Sequence, residues 1–316
     1  MTTRGYNTDP DIYFGLPGSL VRLPWPQGGF SAPVEKQIST FISGGGGYQS
    51  STLVGTSRSY NMQWTALHQT TFDRVNQYWL GARGGGPFAL VDPSRPNLFM
   101  PNQSAATAVT NDTTGWQTGI PTSSSKTQGV LFSNSDASFI HDPMGIRSLR
   151  LGSFSLASLD TYCIVIPTPP YYAWPGVPVM TGLPYTATCW CLPVTVNLTV
   201  DVQLQWMDVA RVVLSTSALG AASYAAGAWT QLTVTGTAPA GAAFVLPRVV
   251  VTSASVTSAN ASLYLDGFQL EQSDTVHDWA PGAGCGAVAM TAWSEDVPFD
   301  ANFRISPSLQ LREVIA

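Results

Sequence analysis

The chain has 316 residues, only 10% of them charged, with a net charge of −5 and no run of lysine or arginine. A phosphate-backbone ligand needs a basic face, so nucleic-acid binding is excluded. No apolar stretch approaches the roughly 20 residues that cross a bilayer as a helix, so membrane insertion is excluded too. With 29 glycines, 23 prolines and 10 tryptophans, the profile is turn-rich and β-rich, and its sparse charge suits a surface covered by neighbours in an assembly.

The length permits two domains, each able to bury its own core. The first residues, Met1 to Asp9, lack an apolar segment of the export type, so the expectation is folding in a cytoplasm. Cys163, Cys189, Cys191 and Cys285 include no Cys-x-x-Cys pair and no neighbouring histidine cluster. They read as small buried apolar residues rather than zinc ligands or disulfides.

Residues 1–96 form one compositional unit. Ser19 to Pro26 reads as a strand ending at prolines, and Phe30–Ile42 and Leu53–Ala66 as further strands around the glycine loop Gly44–Gly47. Tyr60, Met62 and Trp64 alternate onto one face. A helix follows, capped by Thr70 or Thr71 and with Asp73 in its first turn. Phe72, Val75, Trp79 and Leu80 form its apolar stripe, and Gly81 ends it. Gly84 to Pro87 then reads as a sharp helix-to-strand turn, because no Gly-Lys-Ser/Thr follows to make a phosphate loop.

From Asn97 to Gly282 short strands alternate with Ser/Thr/Ala-rich turns, the pattern of a sandwich. Val194–Trp206 gives the clearest alternation, one face buried and one wet. Trp229–Gly236 and Phe244–Val251 follow around a turn at Thr237–Ala242. Leu263–Glu271 reads as a closing strand with Leu263, Leu265 and Gly267 on one face and Tyr264, Asp266, Phe268 and Leu270 on the other. After Gly282, Val288–Trp293 and Ser308–Val314 read as strands around a turn at Glu295–Asp300. Thirty residues cannot bury a core alone, so residues 283–316 are expected to complete the 1–96 unit, with 97–282 inserted between.

Two resemblances refine this. The run Phe72–Leu80, then Gly84–Pro93 and Asn97–Phe99, with Leu309–Val314 at the end, resembles distal tail proteins of long-tailed bacteriophages, those of actinobacteria above all. The resemblance implies a tail-tube-like β-sandwich with one helix. Six copies would form a ring joining the tail tube protein to the tail-tip hub proteins, in a virion made in a bacterial cytoplasm. The insertion resembles carbohydrate-binding jelly rolls, through Asn97–Phe99 with Thr114–Trp116, Gly227–Pro239 and Tyr264–Glu271. It implies an outward module able to contact host cell-wall glycan. The other reading is a free carbohydrate-binding protein or an accessory module of a polysaccharide-degrading enzyme.

Sugars stack C–H faces on aromatic rings and offer hydroxyls to amides and carboxylates. Tyr171, Tyr172 and Trp174 sit in a proline-rich loop (Pro167 to Pro178) where no ladder explains them. They contact glycan or protein, or pack locally over the sandwich. Trp116 and Trp229 read as core. Asp266 is either a structural calcium ligand, as the resemblance implies, with backbone carbonyls near Asn97 contributing, or a buried carboxylate accepting backbone N–H bonds. No cofactor is required. Catalysis is not expected: the insertion holds one glutamate, Glu271, and His68, His141 and His277 lie far apart, without a nucleophile elbow.

Overall fold

The computed structural model describes residues 11–42, 49–92, 95–105, 115–119, 130–141, 144–154, 162–167, 174–254, 261–282, 285–296 and 305–314. The fold is mainly β, in two compact units: Asp11–Leu90 with Gly286–Ala316, and Val91–Cys285. In chain order come β1 (Ile12–Gly15), β2 (Val21–Leu23), β3 (Gly29–Ser31), β4 (Val34–Ile42), β5 (Gln49–Gln63), helix α1 (Gln69–Trp79) and β6 (Phe88–Val91). The middle of the chain supplies a helical turn, Pro101–Ser104, then β7 (Trp116–Gly119), β8 (Val130–Asn134), β9 (Ser148–Phe154), β10 (Tyr162–Pro167) and β11 (Val177–Pro178). It continues with β12 (Pro184–Pro193), β13 (Leu198–Met207), β14 (Val213–Ala218), β15 (Ala222–Tyr224), β16 (Thr230–Thr237), β17 (Phe244–Ala254) and β18 (Ala261–Glu271). The chain closes with β19 (Cys285–Asp296) and β20 (Ser306–Glu313). Among the described residues no helix is long and apolar enough to cross a membrane.

The first unit is an eight-stranded sheet in the order β2-β1-β6-β19-β20-β5-β3, with β4 paired to β5. The alternation at Tyr60, Met62 and Trp64 buries all three in one cluster with Phe14, Leu309 and Leu311, so strands from both chain ends line a common core. The expected strand Phe30–Ile42 is broken at Pro33, which cannot donate to a ladder. Its carbonyl instead accepts the Ser59 N–H at 3.1 Å. The helix starts two residues earlier than a Thr70 cap would set it, at Gln69, and is capped by His68 rather than Thr70 or Thr71, the His68 Nδ1 accepting the Thr70 N–H at 3.3 Å. Asp73 consequently lies outside the first turn. The buried stripe is Phe72, Val75 and Tyr78 rather than Trp79 and Leu80, which are 42% and 70% exposed. Tyr78 turns inward because its ring meets Phe14 and Phe88 edge-on while its hydroxyl donates to the Ser19 carbonyl at 2.7 Å. Gly81, at φ +73, terminates the helix where a side chain would be strained. Glu295 and Asp296 are not in a turn: β19 runs through them, paired to Pro307 and Ser306. The Gly44–Gly47 loop lies outside the described residues.

The second unit is a jelly-roll sandwich of two sheets, β14-β13-β17-β10-β7 (with β11 on β17 and β15 on β13) and β16-β12-β18-β9-β8. Tyr185 of β12 meets Trp206 of β13 edge-on at 5.9 Å across the interior. Trp116 packs on Phe268 with ring centroids 4.0 Å apart. Chain entry and exit are clasped by Asn97, which is fully buried. Its Nδ2 donates to the carbonyls of Phe268 (2.9 Å) and Ala280 (2.8 Å). Its Oδ1 accepts the N–H groups of Phe99 (3.1 Å) and Leu270 (3.3 Å).

Candidate functional site

The alternation of β13 sends Leu198, Val200, Val202, Leu204 and Trp206 into the sandwich and Thr199, Asp201, Gln203 and Gln205 to the outer face of the seven-stranded sheet. Register with β17 then builds a two-strand surface. Gln203 lies opposite Arg248, Gln205 opposite Leu246, and Met207 opposite Phe244. One end of this surface is apolar: Trp174 and Leu246, both half-buried, pack against Met207, Ala243 and Phe244. Trp174 is carried there because the segment after it forms β11, which pairs Val177 and Pro178 with Val245 and Phe244.

The other end is a chain of hydrogen bonds. Asp201, 4% exposed, accepts the Gly220 N–H on Oδ1 at 3.0 Å and Gln203 Nε2 on Oδ2 at 2.7 Å. Gln203 Oε1 in turn accepts Arg248 Nε at 2.8 Å. Each group fixes the next, so the amide and guanidinium are held in place before any ligand arrives. Burial lowers the Arg248 pKa from its ordinary value, against the opposing pull of the Asp201 charge. An aromatic platform in line with fixed polar groups can hold the apolar face of a ring while hydrogen-bonding its substituents.

The outer face of the five-stranded sheet is differently built. Between β12 and β18 the register shifts, setting Thr188 opposite Gln269 but Trp190 opposite Asp266. Two residues, Gly267 and Phe268, therefore face Cys189, a bulge made possible by Gly267 at φ +60. The bulge inverts the alternation after Asp266. Phe268 and Leu270 join Leu263 and Leu265 on the inner face, and only Tyr264 and Asp266 of the expected quartet point outward. The segment Ala137–His141 lies over them. Phe139 stacks on Tyr264 at 4.3 Å, and His141 stacks on Trp190 at 3.9 Å.

Asp266 is fully buried, accepting the His141 N–H on Oδ2 at 2.9 Å and the Gly267 N–H on Oδ1 at 2.7 Å. Burial pushes its carboxyl up to about 7, against the lowering effect of those two bonds. Both oxygens thus face N–H dipoles, whose positive ends are the wrong polarity for a cation that wants six or more oxygens. The carbonyls of Phe268 and Ala280 near Asn97 are held by its amide. No group of three or more His, Cys, Asp or Glu side chains suited to a metal occurs among the described residues. The donor set does not fit calcium.

Of the residues singled out in the sequence, Trp174 lies on one sheet and Asp266 on the other, so they form no common site. Tyr171 and Tyr172 lie outside the described residues. Trp116 is core, but Trp229 is half-buried and edge-on to His141 at 5.5 Å on the outer surface. Its side chain cannot enter the sandwich because Leu232 and Val234 of β16 occupy the inner positions. Cys189, Cys191 and Cys285 are buried free thiols, and burial pushes Cys191 and Cys285 up to about 12. Asp201, Gln203, Gln205 and Arg248 were not singled out. The signal for the first three is the wet half of the β13 alternation, but Arg248 is recruited only through the pairing with β17.

No protein-family model and no curated protein matches this chain. Among solved structures it is similar to the CBM22-1–GH10 modules of Clostridium thermocellum xylanase 10B complexed with xylohexaose. That match has 13% identity and TM-score 0.37, over 53% of this chain and 27% of that one. It is similar also to the enzymatically active domain of tailspike protein 4 of bacteriophage CBA120, at 10% identity and TM-score 0.36, over 54% and 20%. A third is the CBM22-1 xylan-binding domain of Paenibacillus barcinonensis Xyn10C, at 11% and 0.34, over 51% and 88%. This chain thus matches only about a quarter of the first structure's length and a fifth of the second's. Likeness this distant leaves function to the site's own geometry.

Proposed function

We propose that the unit Val91–Cys285 binds glycan along the outer face of its seven-stranded sheet, within a structural virion protein that forms the distal ring of a long phage tail. The observation that carries the binding is the Trp174 platform in line with the fixed Gln203 amide and Arg248 guanidinium. Hydrolysis is not part of the proposal. A glycosidase flanks the scissile bond with two carboxylates, whereas the described part of this face holds one, Asp201, already engaged with Gly220 and Gln203. The ring reading is supported by the thinly charged surface and by the resemblance carried by Phe72–Leu80 and Gly84–Pro93. Six weak sites on one ring would bind a cell surface through avidity.

Retention of the purified chain on host cell-wall glycan tests the binding. Trp174→Ala removes the platform and is expected to weaken retention at least ~10-fold, from the aromatic surface lost, with the melting temperature little changed. Unchanged retention removes Trp174 from the site. Light scattering after size exclusion tests the assembly, with a hexamer expected. A strict monomer at high concentration that still binds glycan would return the protein to the class of free carbohydrate-binding proteins or accessory modules.

A further inference from the structure

We infer that this face selects an acidic glycan, with Arg248 contacting a carboxylate or phosphate on the chain; the inference rests on the glycan reading above. The Arg248 Nε–H is committed to Gln203 at 2.8 Å, and no carboxylate lies within ion-pair distance of the side chain among the described residues. A guanidinium carries five N–H donors, so four remain on its two Nη atoms. A cation half-buried without an adjacent anion is unfavourable unless something outside the protein compensates it. Burial dominates the lowering of its pKa, with Asp201 offsetting only part.

The arrangement is also preorganised rather than incidental. A surface arginine usually gives up the freedom of four side-chain torsions when it binds. Here the bond from Nε to Gln203, itself held by the 4% exposed Asp201, fixes the plane of the fork before binding. A planar fork with paired N–H groups matches carboxylate and phosphate oxygens in two-point fashion. The distance fits as well. Arg248 lies two residues from Leu246 and four from Phe244 on β17, hence about 7–13 Å along the strand from the Trp174 platform. One ligand chain can stack on the indole and present an anion to the guanidinium.

The test uses the full chain and three probes: polygalacturonate, poly(glycerol phosphate) and a neutral xylan of similar length. At low salt, binding to at least one acidic probe should be about 10- to 100-fold tighter than to xylan, the range for a charged hydrogen-bond pair. That preference should weaken as sodium chloride rises. Arg248→Gln should abolish the preference, bringing both acidic probes down to the level at which the same variant binds xylan, and Trp174→Ala should weaken all three. Arg248→Lys keeps the charge but loses the fork, and should keep only part of the preference. It decides the matter if Arg248→Gln does not fold. Preference for the uronate or the phosphate polymer identifies the source of the anion. Equal binding to xylan and both acidic probes, or a preference that survives Arg248→Gln, overturns the inference but not glycan binding. Failure to bind any of the three overturns both.

Discussion

Asn97→Ala is the substitution whose cost can be worked most directly from the structure. The side chain is fully buried and makes four hydrogen bonds, two donated to carbonyls of Phe268 and Ala280 and two accepted from N–H groups of Phe99 and Leu270. Alanine removes one partner of each bond and leaves four backbone groups buried without replacement. At about 1 kcal/mol for each bond, the loss is about 4 kcal/mol, a large part of the roughly 5–15 kcal/mol that holds a domain together. For a unit of this size that corresponds to a fall of about 8–16 °C in melting temperature. Asn97→Asp separates polarity from shape. The carboxylate keeps both accepted bonds but turns an oxygen toward two carbonyls, and burial there raises its folded pKa. Its stability should be greatest below the unfolded value of about 3.9 and should fall as pH rises toward neutrality. Calorimetry of the full chain at pH 5 and pH 8 reads both effects. A melting temperature for Asn97→Ala within about 2 °C of the parent, or an Asn97→Asp variant with no added pH dependence, would refute the clasp.

Two further perturbations concern the opposite sheet. Burial holds the folded Asp266 carboxyl up at about 7 against an ordinary value of 3.8, so the folded chain holds a proton that the unfolded chain releases at lower pH. Its contribution is full below about pH 4 and is lost as pH rises to 7, by up to about 4 kcal/mol. Denaturant titrations from pH 4 to 8 should show that slope flattened in Asp266→Asn, and added calcium should leave the parent's slope unchanged. Gly267→Ala places a Cβ at φ +60, 2.9 Å from Met144 Sδ. A loss of about 1–3 kcal/mol is expected from the left-handed backbone and the contact, and a measured loss below ~0.5 kcal/mol would contradict the bulge geometry.

What could be read from the sequence divides by range. The inward run Leu198–Trp206 and the trio Tyr60, Met62 and Trp64 are legible because period-two alternation is a local property, and the structure buries the residues that the alternation places inside. The helix is legible as an element, but its cap is not, since a histidine ring nitrogen accepting an N–H two residues on carries no distinctive pattern. Spacing alone places Trp79 on the buried stripe because it does not say where the helix runs past the sheet, whereas Tyr78 has a carbonyl waiting at Ser19. The binding face is only half legible: Gln203 and Arg248 are 45 residues apart in sequence and meet through strand pairing. Asn97 finds partners 171 to 183 residues away at Phe268, Leu270 and Ala280. Nothing local announces those contacts.

The bulge at Gly267 explains why the two faces of the sandwich differ in character. Without it, β18 would keep one alternation throughout, and Phe268 and Leu270 would face outward beside Asp266, leaving an apolar stripe on the surface and a gap opposite Trp116. One inserted residue turns both inward, where Phe268 meets the Trp116 ring at 4.0 Å. The outward positions past the bulge pass to Gln269 and Glu271, which bond to each other at 2.6 Å and, through Glu271, to His277. These β18 side chains are thereby engaged in internal bonds, and the donors that the same sheet leaves unmatched, Arg150 Nε and Trp190 Nε1, are buried rather than offered to a ligand. Arg248 on the other sheet keeps donors uncommitted. A binding surface needs such unfilled capacity, which the register of β18 removes from one face of the sandwich and Arg248 preserves on the other.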